Sequence, residues 1–83
     1  MKKYLVDVYL PTIGTHYDVY LPANKTMQET TRLIVQLVER LSGGSYKGGL
    51  SPVLMAAESG DSFPRNVTVH DAGIRNAAKL ILV

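Results

Sequence analysis

Two runs of alternating apolar and polar residues, joined by a turn, constrain this chain more than any other feature. Residues 4–10 and 16–21 alternate with the period of two that a half-buried β-strand requires. Residues 11–14, Pro-Thr-Ile-Gly, are typical of a tight turn. The pattern therefore predicts a β-hairpin. Its predicted inward positions are Tyr4, Val6, Val8, Leu10, Tyr17, Val19 and Leu21.

An amphipathic helix is predicted after the hairpin. Thr26 and Glu29 form a Thr-x-x-Glu capping box, which makes Thr26 the predicted N-cap. Polar and apolar residues then fall on opposite sides of the helix, so one side is expected to pack on the sheet. Ser42 and the two glycines after it are expected to end the helix. The predicted apolar face comprises Met27, Ile34, Leu37, Val38 and Leu41.

The second half of the chain contains shorter elements. Residues 42–52 are rich in glycine and are expected to form a mobile loop. A short strand is predicted at residues 53–57, and a final strand at residues 79–83 with Leu80 and Leu82 inward. Between these strands, Thr68 and Asp71 repeat the capping pattern and predict a single helical turn, which Gly73 closes. Residues 1–83 are expected to form one domain.

The order hairpin, helix, strand, turn and strand indicates an α+β arrangement and resembles the β-grasp fold of ubiquitin. The expected structure is a mixed sheet of four to five strands with one main helix packed on one face. Five residues of the last segment stand at the spacing found in ubiquitin: Thr68, Asp71, Ile74, Leu80 and Leu82.

Three segments resemble the YukD family of bacterial ubiquitin-like proteins. They are residues 6–11 (VDVYLP), 17–22 (YDVYLP) and 71–76 (DAGIRN). Family members often carry Asn-Gly before the last strand, where this chain has Asn76 followed by Ala77. The resemblance implies an unconjugated ubiquitin-like protein associated with a type VII (ESX-like) secretion system.

Composition excludes several classes of protein. With 83 residues and 46% hydrophobic residues, the chain suits one small globular domain. It has no cysteine, which excludes disulfides, thiolate nucleophiles and cysteine-containing zinc sites. The net charge is only +2, without a basic cluster of the nucleic-acid-binding type. No signal sequence or membrane span is predicted, so the expected location is cytoplasmic.

The glycine pairs do not indicate conjugation or nucleotide binding. Ubiquitin-type conjugation needs a flexible terminal Gly-Gly, whereas Gly43-Gly44 and Gly48-Gly49 are internal and residues 82–83 are predicted to lie in a strand. A phosphate-binding loop needs Lys and then Ser or Thr after its second glycine, and neither follows Gly49.

The histidines do not indicate an active site either. Asp71, next to His70, is already assigned to a helix cap. His16 and Asp18 share a predicted strand face, but two ligands do not make a convincing metal site. The chain is therefore expected to have no catalytic residue, metal or cofactor.

Apolar residues on the outward face of the predicted sheet are the main functional signal. Leu5, Tyr9, Tyr20 and Ile81 point away from the helix if the strand phases are right. An exposed apolar patch of this kind indicates a protein-interaction face. The predicted rim consists of Asp7, Asp18 and Lys79, and possible further contacts in the glycine-rich loop are Tyr46 and Lys47.

These observations favour a cytosolic protein-interaction module, and by resemblance an accessory component of a secretion machine. Its expected partner is a protein component of that machine, or a second copy bound through the open sheet face. The alternatives are a purely structural homodimer and a small RNA-binding module. The second rests on a basic isoelectric point and on Tyr9 and Tyr20, which can stack on bases. Asp7 and Asp18 oppose it because they repel phosphate.

Overall fold

A β-hairpin opens the computed structural model, which describes residues 2–49 and 51–83. Strands β1 (Lys3–Leu10) and β2 (Thr15–Pro22) pair antiparallel, with Asp7 opposite Asp18 near the middle of the register. β-Branched and aromatic residues at alternate positions line the face of the hairpin that packs in the core. The predicted hairpin is confirmed, and its register fixes which side chains meet on the other face.

Helix α1 (Met27–Leu41) begins at the predicted capping box. The Glu29 N–H donates to Thr26 Oγ1 at 3.2 Å, and the Thr26 N–H donates to Glu29 Oε1 at 3.4 Å. The Thr26 hydroxyl also donates to this carboxylate at 3.0 Å. The two bonds that the Glu29 carboxylate accepts, the one from the Thr26 side chain most of all, lower the pKa of Glu29 because they stabilise its charged form.

The buried face of α1 differs from the prediction at its end. Met27, Ile34 and Val38 are buried as expected, and Leu37 is half-buried. Leu41, however, is 54% exposed, so its assignment to the buried face is wrong. Leu41 is the last residue of the helix and lies three positions beyond Val38, the last buried position.

Strand β4 (Lys79–Leu82) lies at the centre of the sheet. It pairs parallel with β1 and antiparallel with β3 (Leu54–Ala56), which gives the strand order β2-β1-β4-β3. Leu80 and Leu82 are buried in the core, as predicted. The fold is therefore α+β, with a mixed four-stranded sheet and one helix on one face.

A hydrogen-bonded turn precedes β4. The Asp71 N–H donates to Thr68 Oγ1 at 3.1 Å, and the Ala72 N–H donates to the Thr68 carbonyl at 2.9 Å. Gly73 then takes a φ of +88°, a left-handed conformation that glycine adopts without steric cost. Ile74 returns to the core. The predicted single turn is thus present.

Ala77 takes a left-handed conformation, with φ +71°, directly before β4. An L-residue with a Cβ adopts this conformation at a cost of roughly 1–2 kcal/mol. The Ala77 N–H donates to the Leu5 carbonyl at 2.8 Å, and Asn76 Oδ1 accepts the Leu5 N–H at 2.9 Å. These two bonds to one residue of β1 hold the strained turn in place.

The glycine-rich segment after α1 packs against the helix. The Tyr46 N–H donates to Ser42 Oγ at 3.0 Å, and the Gly48 N–H donates to Glu39 Oε2 at 3.3 Å. A Cβ at Gly48 would lie 2.6 Å from Val35 Cγ1, too close for any side chain without a shift of the helix residue. Glycine at this position therefore permits the close approach of the segment to the Val35 side chain.

Tyr46 is buried rather than presented to a partner. Only 3% of its surface is exposed, and its ring belongs to the core, so its proposed role as a loop contact is wrong. Burial, and to a lesser extent the charge of Glu39, raises the pKa of the Tyr46 hydroxyl. Lys47 is exposed and stays a predicted contact. Leu50, which falls in the predicted loop, lies outside the described residues.

Candidate protein-interaction face

The sheet face turned away from α1 carries the four residues predicted to bind a partner. They alternate along the strands with the buried residues of the core, as the predicted strand phases require. Tyr20 is 66% exposed and Leu5 is 37% exposed, whereas Tyr9 and Ile81 are half-buried. We call this surface the open face.

The four residues form two pairs rather than one cluster. Leu5 of β1 lies opposite Tyr20 of β2 at one end of the open face. Tyr9 lies beside Ile81 of β4 at the other end, and the ring of His16 packs on Tyr9 with centroids 4.4 Å apart. The expectation that Leu5 joins Tyr9 and Ile81 is wrong, because the side chain of the residue between them on β1 separates the two ends.

A row of charged residues crosses the open face between the two pairs. Asp7 lies opposite Asp18 on β2 and beside Lys79 on β4. Like charges directly opposite each other in a sheet destabilise it, and Lys79 is the cation placed beside Asp7 to offset this. His16 Nδ1 lies 3.0 Å from Asp7 Oδ2. His16 therefore contacts Asp7, not the Asp18 considered from the sequence.

A shallow depression of about 680 Å³ lies at the Leu5–Tyr20 end of the open face. Asp18 and Lys79 of the charged row border the depression. Asn76, in the turn directly before β4, borders it on another side. The depression therefore offers both apolar surface and charged groups of both signs. Such a surface suits a protein partner better than a small molecule, because it is open and shallow.

The second histidine, His70, takes part in the hydrogen bonds that stabilise the turn at residues 68–73. His70 Nδ1 lies within hydrogen-bond distance of the Tyr4 hydroxyl, and Arg75 Nη2 lies 3.3 Å from His70 Nε2. The Arg75 guanidinium also donates to the carbonyls of His70 and Ile74, at 2.9 and 2.7 Å. In residues 2–49 and 51–83, no three His, Cys, Asp or Glu side chains are grouped as metal ligands.

Sequence reasoning missed two apolar features. Met55 of β3 lies opposite Ile81 and extends the Tyr9–Ile81 end of the open face, which could be known only from the β3–β4 register. Leu33 of α1 is 49% exposed and stands four and eight positions before Leu37 and Leu41. That spacing was visible in the sequence and indicates a continuous stripe along the helix.

Known structures identify the fold. No protein-family model and no curated protein matches this sequence. A chain of the MycP5-free ESX-5 inner membrane complex superposes on the whole of this chain with a TM-score of 0.81 at 16% identity. This chain covers 21% of that one. The EccD5 ubiquitin-like domain from Mycobacterium xenopi gives a TM-score of 0.76 at 11% identity, over 100% of this chain and 94% of that one.

A third structure is the ubiquitin-like domain of the Mycobacterium tuberculosis type VII secretion system protein EccD1. It gives a TM-score of 0.64 at 20% identity and covers 100% of this chain and 99% of its own. The chain has a ubiquitin-like fold. The predicted β-grasp is thereby confirmed. No helix in the described part of the chain is long and apolar enough to cross a membrane.

Proposed function

We propose that this chain is a non-enzymatic, unconjugated protein-interaction module that acts as a cytosolic accessory component of a type VII (ESX-like) secretion system. Support comes from the ubiquitin-like domains of EccD5 and EccD1, whose fold it shares over its whole length. The resemblance of three sequence segments to the YukD family points the same way. In this proposal the partner is another protein of the secretion machine.

The open face is the proposed docking surface, and its arrangement carries the proposal. Its two apolar ends, Leu5–Tyr20 and Tyr9–Ile81, provide the surface that gains free energy when water is removed. The charged row between them gives the interface a fixed register, because a partner must place complementary charges there. A face that served only to solvate the sheet would not need large apolar side chains at both ends.

Nucleic acid fits this face poorly. Tyr9 and Tyr20 could each stack on a base, but Asp7 and Asp18 lie between them and repel a phosphate backbone. The glycine pairs give no support to a conjugating tail, since Gly43 and Gly44 end α1 in left-handed conformations and Gly48 packs on the helix. These observations favour protein binding as the proposed function.

The test is affinity capture from a native lysate that includes membranes. Wild type is compared with Tyr20→Ser and Ile81→Glu, one substitution at each end of the open face. Gln36→Glu, at an exposed position of α1, is the matched control. Circular dichroism establishes that each variant is folded.

We expect wild type and the control to retrieve subunits of a type VII secretion system. Both open-face variants should lose at least about 90% of that material, a tenfold loss that corresponds to about 1.4 kcal/mol of binding free energy. Equal recovery with folded Tyr20→Ser and Ile81→Glu would contradict the proposed face. Recovery of the chain alone would instead favour a homodimer.

A further inference from the structure

Strand β2 is one edge of the sheet and is eight residues long. Backbone groups of an antiparallel strand point alternately to its two sides. The Ala23 N–H donates to the Lys2 carbonyl at 2.9 Å, which fixes the alternation and directs the odd-numbered residues of β2 toward β1. The N–H and C=O groups of His16, Asp18 and Tyr20 therefore point outward from the sheet. Among the described residues, none of these three forms a backbone hydrogen bond outside the hairpin.

A line of leucines runs along the flank of α1 nearest this edge. Leu33, Leu37 and Leu41 recur every fourth residue, and the first and last are about half-exposed. The opposite flank of the helix, at Val35, borders the glycine-rich segment at Gly48. Val35 lines one groove together with Val53 and Leu54, which lie at the β3 edge of the sheet, so the leucine flank of the helix lies toward β2. We call Leu33, Leu37 and Leu41 the leucine stripe.

The outward backbone groups and the leucine stripe lie where one added strand would meet both. A fifth strand would lie about 4.8 Å beyond β2, and its side chains would alternate between the helix side and the open face. Side chains on the helix side would cover the leucine stripe. The residues of the added strand that hydrogen-bond to β2 would lie opposite His16, Asp18 and Tyr20. The side chains of these added residues would lie on the open face.

The charges at this edge select the partner. Asp18 faces Asp7 across the hairpin, and no cationic group of the described residues lies within 4.0 Å of its carboxylate. A Lys or Arg on the added strand, opposite Asp18, would compensate both carboxylates. A second copy of this chain would instead bring another Asp18 to the same edge.

We propose that the β2 edge and the leucine stripe bind an extended segment of another protein, in which apolar residues alternate with Lys or Arg. This strand-addition site adjoins the docking surface of the open face and adds a second mode of binding to it. The apolar residues of the segment contact the leucine stripe. The basic residues hydrogen-bond through their backbone to His16, Asp18 and Tyr20.

The probe is the capped peptide acetyl-Lys-Val-Lys-Val-Lys-Val-Lys-amide, added to the full chain and followed by NMR. We expect shifts at the His16, Asp18 and Tyr20 amides and at the methyl groups of the leucine stripe. Exchange of those three amides should slow at least tenfold at saturation. The same peptide with Glu in place of Lys should bind at least tenfold more weakly. N-methylation of the lysine amides should abolish binding, because it removes the donors that face β2.

Protein variants separate this site from the open face. Asp18→Lys should reverse the preference, so that the Glu-Val peptide binds more tightly than the Lys-Val peptide. Leu33→Ser with Leu41→Ser should weaken binding at least fivefold, and both positions are exposed enough for the fold to persist. Ile81→Glu, which tests the open face, should leave peptide binding unchanged.

Three outcomes would overturn the proposal. The first is equal binding of the N-methylated peptide, and the second is a set of shifts centred on Leu5 and Ile81. The third is a wild-type dimer in sedimentation, with the His16, Asp18 and Tyr20 amides already protected without peptide. None of these outcomes bears on whether Tyr20→Ser or Ile81→Glu loses secretion subunits in the capture experiment.

Discussion

The two faces of strand β1 show how one strand serves two purposes. Its inner residues are uniformly apolar and buried: Tyr4, Val6, Val8 and Leu10. Its outer residues change character at every position, from Leu5 through Asp7 to Tyr9. The inner face needs only volume and apolarity, because burial is non-directional. The outer face keeps a fixed order of apolar, charged and apolar positions, and that order is what a partner can recognise.

The largest expected contrast comes from two adjacent residues of β4 that face opposite ways. Leu80→Ala should lower the free energy of unfolding by about 3 kcal/mol, because it leaves a cavity in the core. Ile81→Ala removes a half-buried side chain of similar size and should cost about 1 kcal/mol. Urea unfolding followed by circular dichroism measures both. Equal losses would mean that the open face is as tightly packed as the core.

A smaller effect is expected where the chain enters β4. Ala77→Gly should raise the free energy of unfolding by up to about 1 kcal/mol, because relief of the left-handed strain exceeds the added entropy of the unfolded chain. Ala78→Gly is the matched control and should destabilise, since Ala78 has no positive φ to relieve. Urea unfolding followed by circular dichroism measures the stability of both variants. A loss of stability in Ala77→Gly would show that the methyl group makes contacts worth more than the strain.

The smallest effect concerns the charged row. Asp18→Asn removes one of two facing carboxylates on the outer side of the hairpin and should stabilise the chain by about 0.5 kcal/mol. The gain should shrink as salt screens the repulsion. Glu58→Gln, in the exposed turn after β3, removes a charge from outside the row and should give no such gain. A similar gain from both substitutions would show that the effect does not come from the facing carboxylates of the row.

The elements of the fold that depend on local patterns were predictable. The hairpin, the capping box at Thr26 and the inward phase of Leu80 and Leu82 follow from periodicity and from the hydrogen-bonding needs of a helix end. The pairing of Asp7 opposite Asp18 was also predictable from the sequence. A four-residue turn places Leu10 opposite Thr15 and so fixes the register of the whole hairpin.

Features set by tertiary contacts were not predictable in the same way. The separation of Leu5 from Ile81 depends on the β1–β4 register, and no local signal specifies that Asp7 lies beside Lys79. The burial of Tyr46 depends on how the glycine-rich segment folds back on α1. Leu41 looked like a core residue because helical periodicity carries no information on where the sheet beneath it ends.

The parallel pairing of β1 with β4 also has a kinetic consequence. Asp7 pairs with Lys79, 72 positions later in the chain, so a central contact of the sheet is among its longest-range contacts. During synthesis the hairpin and α1 can associate early, but one edge of β1 stays unpaired until β4 leaves the ribosome. Closing so long a loop is entropically costly and slows folding relative to a helical domain of this size. Cooperative folding of this domain is therefore expected only after β4 has been synthesised.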